Sequence, residues 1–277
     1  MNIGKLNRSI GIMFFLLLAT VFPCQGQLLI RTQGSVSVAP YIHGIDKSAV
    51  LYPGYRAVFN ATIDFYQIGN LFLTGLVGNE TVINRADTIL VKLDRLHYSV
   101  SPGFRLEFHE WLVKGAFHHE SINRIDQEES LGGASWQNIV RLGIGSKGSS
   151  YLFLPEEYQH RNNEWMNTFD AEIGGGIFLH GSESIWSAKN HNYRYEVFSL
   201  LRHHIGIFKN WAFFSTLRQR LWISADDSVE QQYKITFNIF RKGAVNFFGI
   251  FYTYTFHDTS TMDNEDRTGA LGIKLVF

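Results

Sequence analysis

The sequence predicts an all-β fold, a transmembrane antiparallel β-barrel of about twelve strands. Three observations carry that expectation. Period-two alternation recurs along the chain, each stretch having one apolar face and one polar or charged face. The carboxyl end is a strict run of this kind, with Gly269, Leu271, Ile273, Leu275 and the terminal Phe277 on one face and Lys274 between them. Aromatic residues reach 15% of the 277 residues, with 25 Gly against 5 Pro, a composition suited to many strands.

The amino end is read first because it sets the compartment. Lys5 and Arg8 precede an almost unbroken apolar run over 10–22, followed by Pro23-Cys24-Gln25-Gly26-Gln27. This is the pattern of a secretory signal peptide over residues 1–26, cleaved after Gly26, with the barrel occupying 27–277. Lipidation at Cys24 is the competing reading, and Pro23 is a poor neighbour for it. If Cys24, the single cysteine, leaves with the signal, the exported chain has no thiol or disulfide chemistry. The 25 basic and 25 acidic residues cancel, so no long-range field favours a polyanion and a nucleic-acid partner is excluded. No second run of roughly 18 apolar residues follows, so no helix is expected to span a membrane.

Individual strands show the two faces. Tyr233, Ile235, Phe237 and Ile239 alternate with Lys234, Thr236 and Asn238. In 193–207 the apolar face is expected to be Tyr193, Tyr195, Val197, Leu201 and Ile205, opposite Arg194, Glu196, Arg202 and His204. The terminal run resembles the closing strand of bacterial outer-membrane proteins, whose last residue is typically Phe, and this implies a bacterial outer-membrane location. Counting back from Phe277 on the inner side, the outer loops fall at 258–266, 225–230, 180–192, 122–135, 79–87 and 47–52. The inner turns fall at 241–243, 208–210, 109–110 and Gly69. Segment 146–166 is either a long inner connection or conceals an extra hairpin. Trp111 and Trp211 are expected at the inner interface, Trp136 and Tyr193 at the outer one. The lumen is expected to carry Lys114, Glu120, Arg141, Asp170, Glu172, Arg194, Glu196, Arg202, Arg218 and Arg220. Mixed charge in a narrow barrel indicates a cross-linked, filled interior rather than an open pore.

One group of residues breaks the apolar face. On 111–121 the lipid side reads Trp111, Val113, Gly115, Phe117, then His119 and Ser121, while Lys114, His118 and Glu120 point inward. On the next strand Trp136, Asn138, Val140, Leu142 and Ile144 face lipid. Polar groups facing hydrocarbon are costly and point to function. A Ser hydroxyl needs a base, and the base an orienting partner. His119 and Ser121 share one face roughly 6–7 Å apart, and Asn138 lies on the neighbouring strand at similar height.

This set, His119-Glu120-Ser121-Ile122-Asn123-Arg124 followed by Trp136-Gln137-Asn138, resembles outer-membrane phospholipase A. In that twelve-stranded family the motif runs His-x-Ser-Asn-Gly-Arg, with Trp-Asn on the next strand. The resemblance implies that His119 is the base, Ser121 the nucleophile and Asn138 the orienting amide. It further implies a calcium ion near Arg124 and a loop serine, Ser130 or Ser135, and a homodimer that completes an apolar cleft. Ile122-Asn123 stands in place of Asn-Gly, the loop is longer, and Gln137 is inserted between Trp136 and Asn138. The substrates implied are outer-membrane lipids, either phospholipid or lipid A acyl chains, since lipid A deacylases also use His and Ser.

A second reading uses the same residues without catalysis. Polar groups at a strand end sit in the interface, where the hydrocarbon penalty has faded. The chain is then a non-catalytic barrel, a structural or assembly partner of another envelope protein or a narrow pore. Other clusters carry less. The adjacent pairs His118-His119 and His203-His204 point to opposite faces and chelate no common metal. Gly174-Gly175-Gly176 lies mid-strand with no helix behind it and marks a bend or close packing in the wall. The acidic segment 258–266 lacks the spacing of a calcium loop.

Overall fold

The structure is a computed structural model that describes residues 26–43, 53–85, 91–124, 133–150, 164–181, 193–242, 247–259 and 266–277. Twelve strands occur among them. The first six are β1 (Gln27–His43), β2 (Pro53–Ile68), β3 (Leu71–Arg85), β4 (Val91–Phe108), β5 (Trp111–Arg124) and β6 (Gly133–Ser146). After a 3-10 turn (Lys147–Ser150) come β7 (Glu164–Gly181), β8 (Tyr193–Phe208), β9 (Trp211–Ser224), β10 (Val229–Lys242), β11 (Phe247–Asp258) and β12 (Thr268–Val276). Each strand pairs with the next, and β1 pairs with β12 to close a barrel. Phe277 is part of that seam: its backbone and that of Gly34 exchange hydrogen bonds of 2.7 and 3.0 Å.

Alternation decides the two faces. Outward residues such as Leu142 and Ile173 are 59% and 58% exposed, and Phe117, Val140, Leu201, Phe237, Ile250 and Ile273 join them in an apolar belt. Inward residues are polar and buried, among them Arg105, Glu120, Asp170, Glu196 and Asn238. Apolar outside and charged inside is the inverse of a soluble protein and the arrangement of a membrane-spanning barrel. No described helix is long and apolar enough to cross a membrane; the crossings are strands. The chain is an outer-membrane β-barrel, located in the bacterial outer membrane.

Tight turns at 69–70, 109–110 and 209–210 lie at the Phe277 end, the inner one. Gly69 there has φ 56°, a left-handed conformation that favours glycine. Several strands run beyond the expected loops. Asn79–Arg85 belongs to β3, and both Ile122–Arg124 and Gly133–Ser135 remain paired between β5 and β6. Fifteen to eighteen residues in β3 and β4 exceed the ~9–11 that a crossing needs, so these strands project past the belt. The expected loop 47–52 and the signal segment up to residue 25 lie outside the described residues. Of 146–166, the 3-10 turn and the start of β7 are described, and no extra hairpin occurs among the described residues.

Simple alternation misplaces two residues of β8. The pairing with β9 slips by one between Tyr193 and Tyr195, a bulge that turns Tyr193 inward, buried, while Arg194 is exposed on the outer surface. Arg194 is therefore not a lumen charge and Tyr193 is not part of an aromatic girdle. Tyr193 instead donates a short hydrogen bond to Glu230. A second slip between His204 and Gly206 brings Ile207 inside, where it is buried. Trp111 and Trp211 are exposed near the inner end as expected.

Ion pairs tie the walls together across the lumen. Glu196 accepts from Arg141 at 2.6 and 3.1 Å and from Arg220 at 2.8 Å. Arg105 makes a two-pronged contact with Asp64 at 3.1 and 3.0 Å, and Lys114 reaches Glu172 at 2.7 Å. Below these, Ile207, Ala212, Phe214, Phe240, Phe247 and Val276 form an apolar cluster across the inner end of β8–β12. The 3-10 turn lies at the same end, its Ser149 and Gly148 carbonyls accepting from Lys114 and Arg202 at 3.4 Å each. The glycines of β7 make room inside: the Phe198 ring lies where a side chain at Gly174 would be.

Candidate functional site

The polar break in the belt is built from three adjacent strands. His119 on β5 stands directly opposite Asn138 on β6 and Val100 on β4, while Ser121 stands opposite Trp136 and Tyr98. The expected meeting of His119 with Asn138 occurs: Nδ1 and Oδ1 are 2.8 Å apart. With the amide oxygen as acceptor, Nδ1 carries the proton and Nε2 presents its lone pair. The imidazole lies beside Trp136, ring centroids 6.4 Å apart and tilted by 31°. Val100, Phe117 and Val140, all exposed, border the group on its membrane side. It thus sits at the outer rim of the apolar belt.

Ser121 shares the face but is 5% exposed, covered by its neighbours. Its hydroxyl hydrogen-bonds the Tyr98 side chain, whose hydroxyl also contacts Asn123. Among the described residues no hydrogen bond joins Ser121 to His119. Tyr98 and Asn123 are neighbours of this group that sequence reasoning missed. Asn123 stands at the motif's Gly position, with Ile122 where the motif has its amide, and Tyr98 lies on β4, where only the β4–β5 register brings it to Ser121.

The inner side of the same rungs is clamped independently. Glu120, between His119 and Ser121, accepts from Gln137 at 2.9 Å and lies 2.7 Å from His97 and 3.4 Å from His118. His118 Nδ1 is 2.7 Å from the Ser101 hydroxyl. The wall is thus fastened on both faces at this height, which holds His119 and Asn138 in register. A pairing slip between Asn138 and Ile139 on the β7 side adds a local twist, as bulges do near functional sites.

Of the residues the resemblance implies for calcium, Arg124 and Ser135 lie on the paired ends of β5 and β6, Arg124 opposite Gly133 and Ser135 opposite Ile122. Ser130 lies outside the described residues. No group of three or more His, Cys, Asp or Glu that could hold a metal occurs among the described residues.

No family model matches the chain, and no curated protein matches it. Among solved structures it is similar to OmpT, an outer membrane protein of Vibrio cholerae, at 8% identity over 91% of this chain and 99% of that one, with a TM-score of 0.42. It is also similar to the translocator domain of the autotransporter NalP from Neisseria meningitidis, at 10% identity over 98% and 94%, with a TM-score of 0.38. At these levels the likeness is one of general barrel shape. The assignment as an outer-membrane β-barrel rests on the chain's own closed sheet and inverted surface.

Proposed function

We propose that the barrel is a lipid acyl hydrolase, with Ser121 as nucleophile, His119 as general base and Asn138 as the residue that orients the imidazole. The observation that carries this reading is the His119–Asn138 hydrogen bond at 2.8 Å, on a lipid-facing wall two residues from a serine. An imidazole held through Nδ1 keeps Nε2 free to act as base, as a serine hydrolase requires. In the first step the Ser121 oxygen attacks the ester carbonyl and its proton passes to His119 Nε2. The proton then goes to the departing alcohol, leaving an acyl-Ser121 that water, activated by His119, cleaves to free fatty acid. The Tyr98 hydroxyl at Ser121, itself in contact with the Asn123 side chain, is a donor for the negative oxygen of the intermediate.

The substrate class that fits is a phospholipid or lipid A acyl ester lying against this face. A homodimer through the same wall would shelter the acyl chains. Calcium near Arg124, Ser130 and Ser135 belongs to the proposal as an added electrophile. The described residues supply no carboxylate cluster for it, so no step is routed through the ion.

The test is fatty-acid release from detergent-solubilised phospholipid and lipid A, with calcium and with chelator. Ser121→Ala and His119→Ala should lose several powers of ten in rate, because members of such a set act together; Asn138→Ala should lose less. Equal release by wild type and Ser121→Ala ends the proposal. The second reading, a non-catalytic barrel that assembles with another envelope protein, is favoured by the Tyr98–Ser121 contact, which occupies the hydroxyl at rest. It predicts no release by the wild-type barrel together with co-purification of an envelope partner.

A further inference from the structure

We propose that the lipid-facing wall of β7–β9 carries a second polar site, formed by Asn167, His203 and Ser215, which binds a diacyl glycerophospholipid of the inner leaflet through its ester carbonyls. The site lies on different strands from His119 and toward the opposite end of the wall, and it is independent of the hydrolase reading. Phe169 on β7 and Ser215 on β9 stand directly opposite His203 on either side. The Phe169 ring stacks on the imidazole, with centroids 4.4 Å apart and planes 12° from parallel. Asn167 Oδ1 lies 3.0 Å from His203 Nε2. The backbone is irregular on both sides of β8 here. Pairing slips between Trp165 and Thr168 on β7, and between His204 and Gly206 on β8, as bulges that re-aim side chains do near functional sites. Asn167 itself has φ 43°, a left-handed conformation that asparagine adopts more readily than most residues.

What marks this group as a binding site is its unused hydrogen-bonding capacity. With His203 Nε2–H donating to Asn167 Oδ1, the Asn167 amide nitrogen has no acceptor among the described residues. The Ser215 hydroxyl has no partner among them either. A polar group left unpaired against hydrocarbon is costly, and an acceptor brought by the lipid removes that cost. Ser215 is the smallest side chain on its rung, between His203 and Phe237. By contrast, Ser199, on the same face of β8, already donates to Gln219 at 3.5 Å.

The surroundings identify the occupant. Toward the inner rim, Trp165 packs against Phe208 at 4.7 Å. Exposed Trp211 stands opposite exposed Arg241, and Lys209 is exposed in the turn between them and β8. Toward the membrane centre, exposed Ile173, Leu201 and Leu217 continue the apolar belt. Cations and aromatic rings at the rim, then two donors, then an apolar surface match a glycerophospholipid read from phosphate through ester carbonyls to acyl chains.

The experiment titrates barrel folded in detergent with dioleoyl phosphatidylglycerol or with its diether analogue, which has the same headgroup and chains but no ester carbonyl. Bound lipid is read as intact mass by native mass spectrometry, which separates retained lipid from any hydrolysis product. The diacyl lipid should bind about tenfold more tightly, the effect expected of one or two neutral hydrogen bonds. In the Asn167→Gly/Ser215→Ala double variant that preference should vanish. Glycine suits the backbone at position 167 and alanine removes an unpartnered hydroxyl, so the variant should fold as the wild type does. Ser199→Ala should keep the preference. Equal binding of the two lipids by the wild type, which needs no variant to observe, overturns the proposal, and so does an unchanged preference in the double variant.

Discussion

His118 and His119 are consecutive in the chain and serve opposite sides of one wall. His118 is buried in the lumen against Ser101 at 2.7 Å, and His119 faces outward and meets Asn138 at 2.8 Å. A single step along the strand thus leads from a structural imidazole to the proposed catalytic one. The pair makes an internal control. His119→Ala should abolish fatty-acid release and leave unfolding in denaturant nearly unchanged. His118→Ala should retain release and instead lose stability, about 1–3 kcal/mol, because Ser101 and Glu120 lose a buried partner.

Glu196 predicts a larger effect on folding. Its side chain is buried and receives both Arg141 and Arg220. Glu196→Ala would leave two guanidinium groups facing each other without their shared carboxylate. Breaking a buried pair in this way costs about 3–5 kcal/mol, to be read from denaturant unfolding of barrel reconstituted in vesicles. An unchanged midpoint would show that the lumen cross-link contributes nothing.

Tyr98 separates a resting partner from a working one. If its hydroxyl stabilises the negative oxygen of the intermediate, Tyr98→Phe should lower kcat by about 10²–10³ with little change in KM, as loss of one such donor does elsewhere. A rate equal to or above that of the wild type would mean that Tyr98 merely occupies Ser121.

The closed inner end makes a prediction for electrophysiology. With Phe240 and Leu112 fully buried and the 3-10 turn bonded to Lys114 and Arg202, the barrel should show no steady conductance in planar bilayers. Large, steady currents would contradict that closure.

Much of this architecture was legible because alternation in a two-faced wall is a direct record of which medium each residue meets. The terminal strand, the placement of Lys114, Glu120 and Arg141 in the lumen and the outward placement of His119 and Asn138 all follow from parity alone. Parity failed at Tyr193 and Arg194, because a bulge adds a residue on one strand without any mark in the hydrophobic pattern. It also could not reveal Tyr98 beside Ser121, since contacts between strands depend on register.

The two slips on β8 have an evolutionary consequence. Each is a place where the strand carries one residue more than β9 requires, so the surplus is absorbed locally and the pairing between them keeps its parity. Length can change there without exchanging the lipid-facing and lumen-facing sets over the rest of the strand. Between these two points on β8 a single inserted or deleted codon would turn part of the strand inside out. Related sequences should therefore concentrate their indels within β8 at these two points, near Arg194 and Ile205, and align without gaps between them.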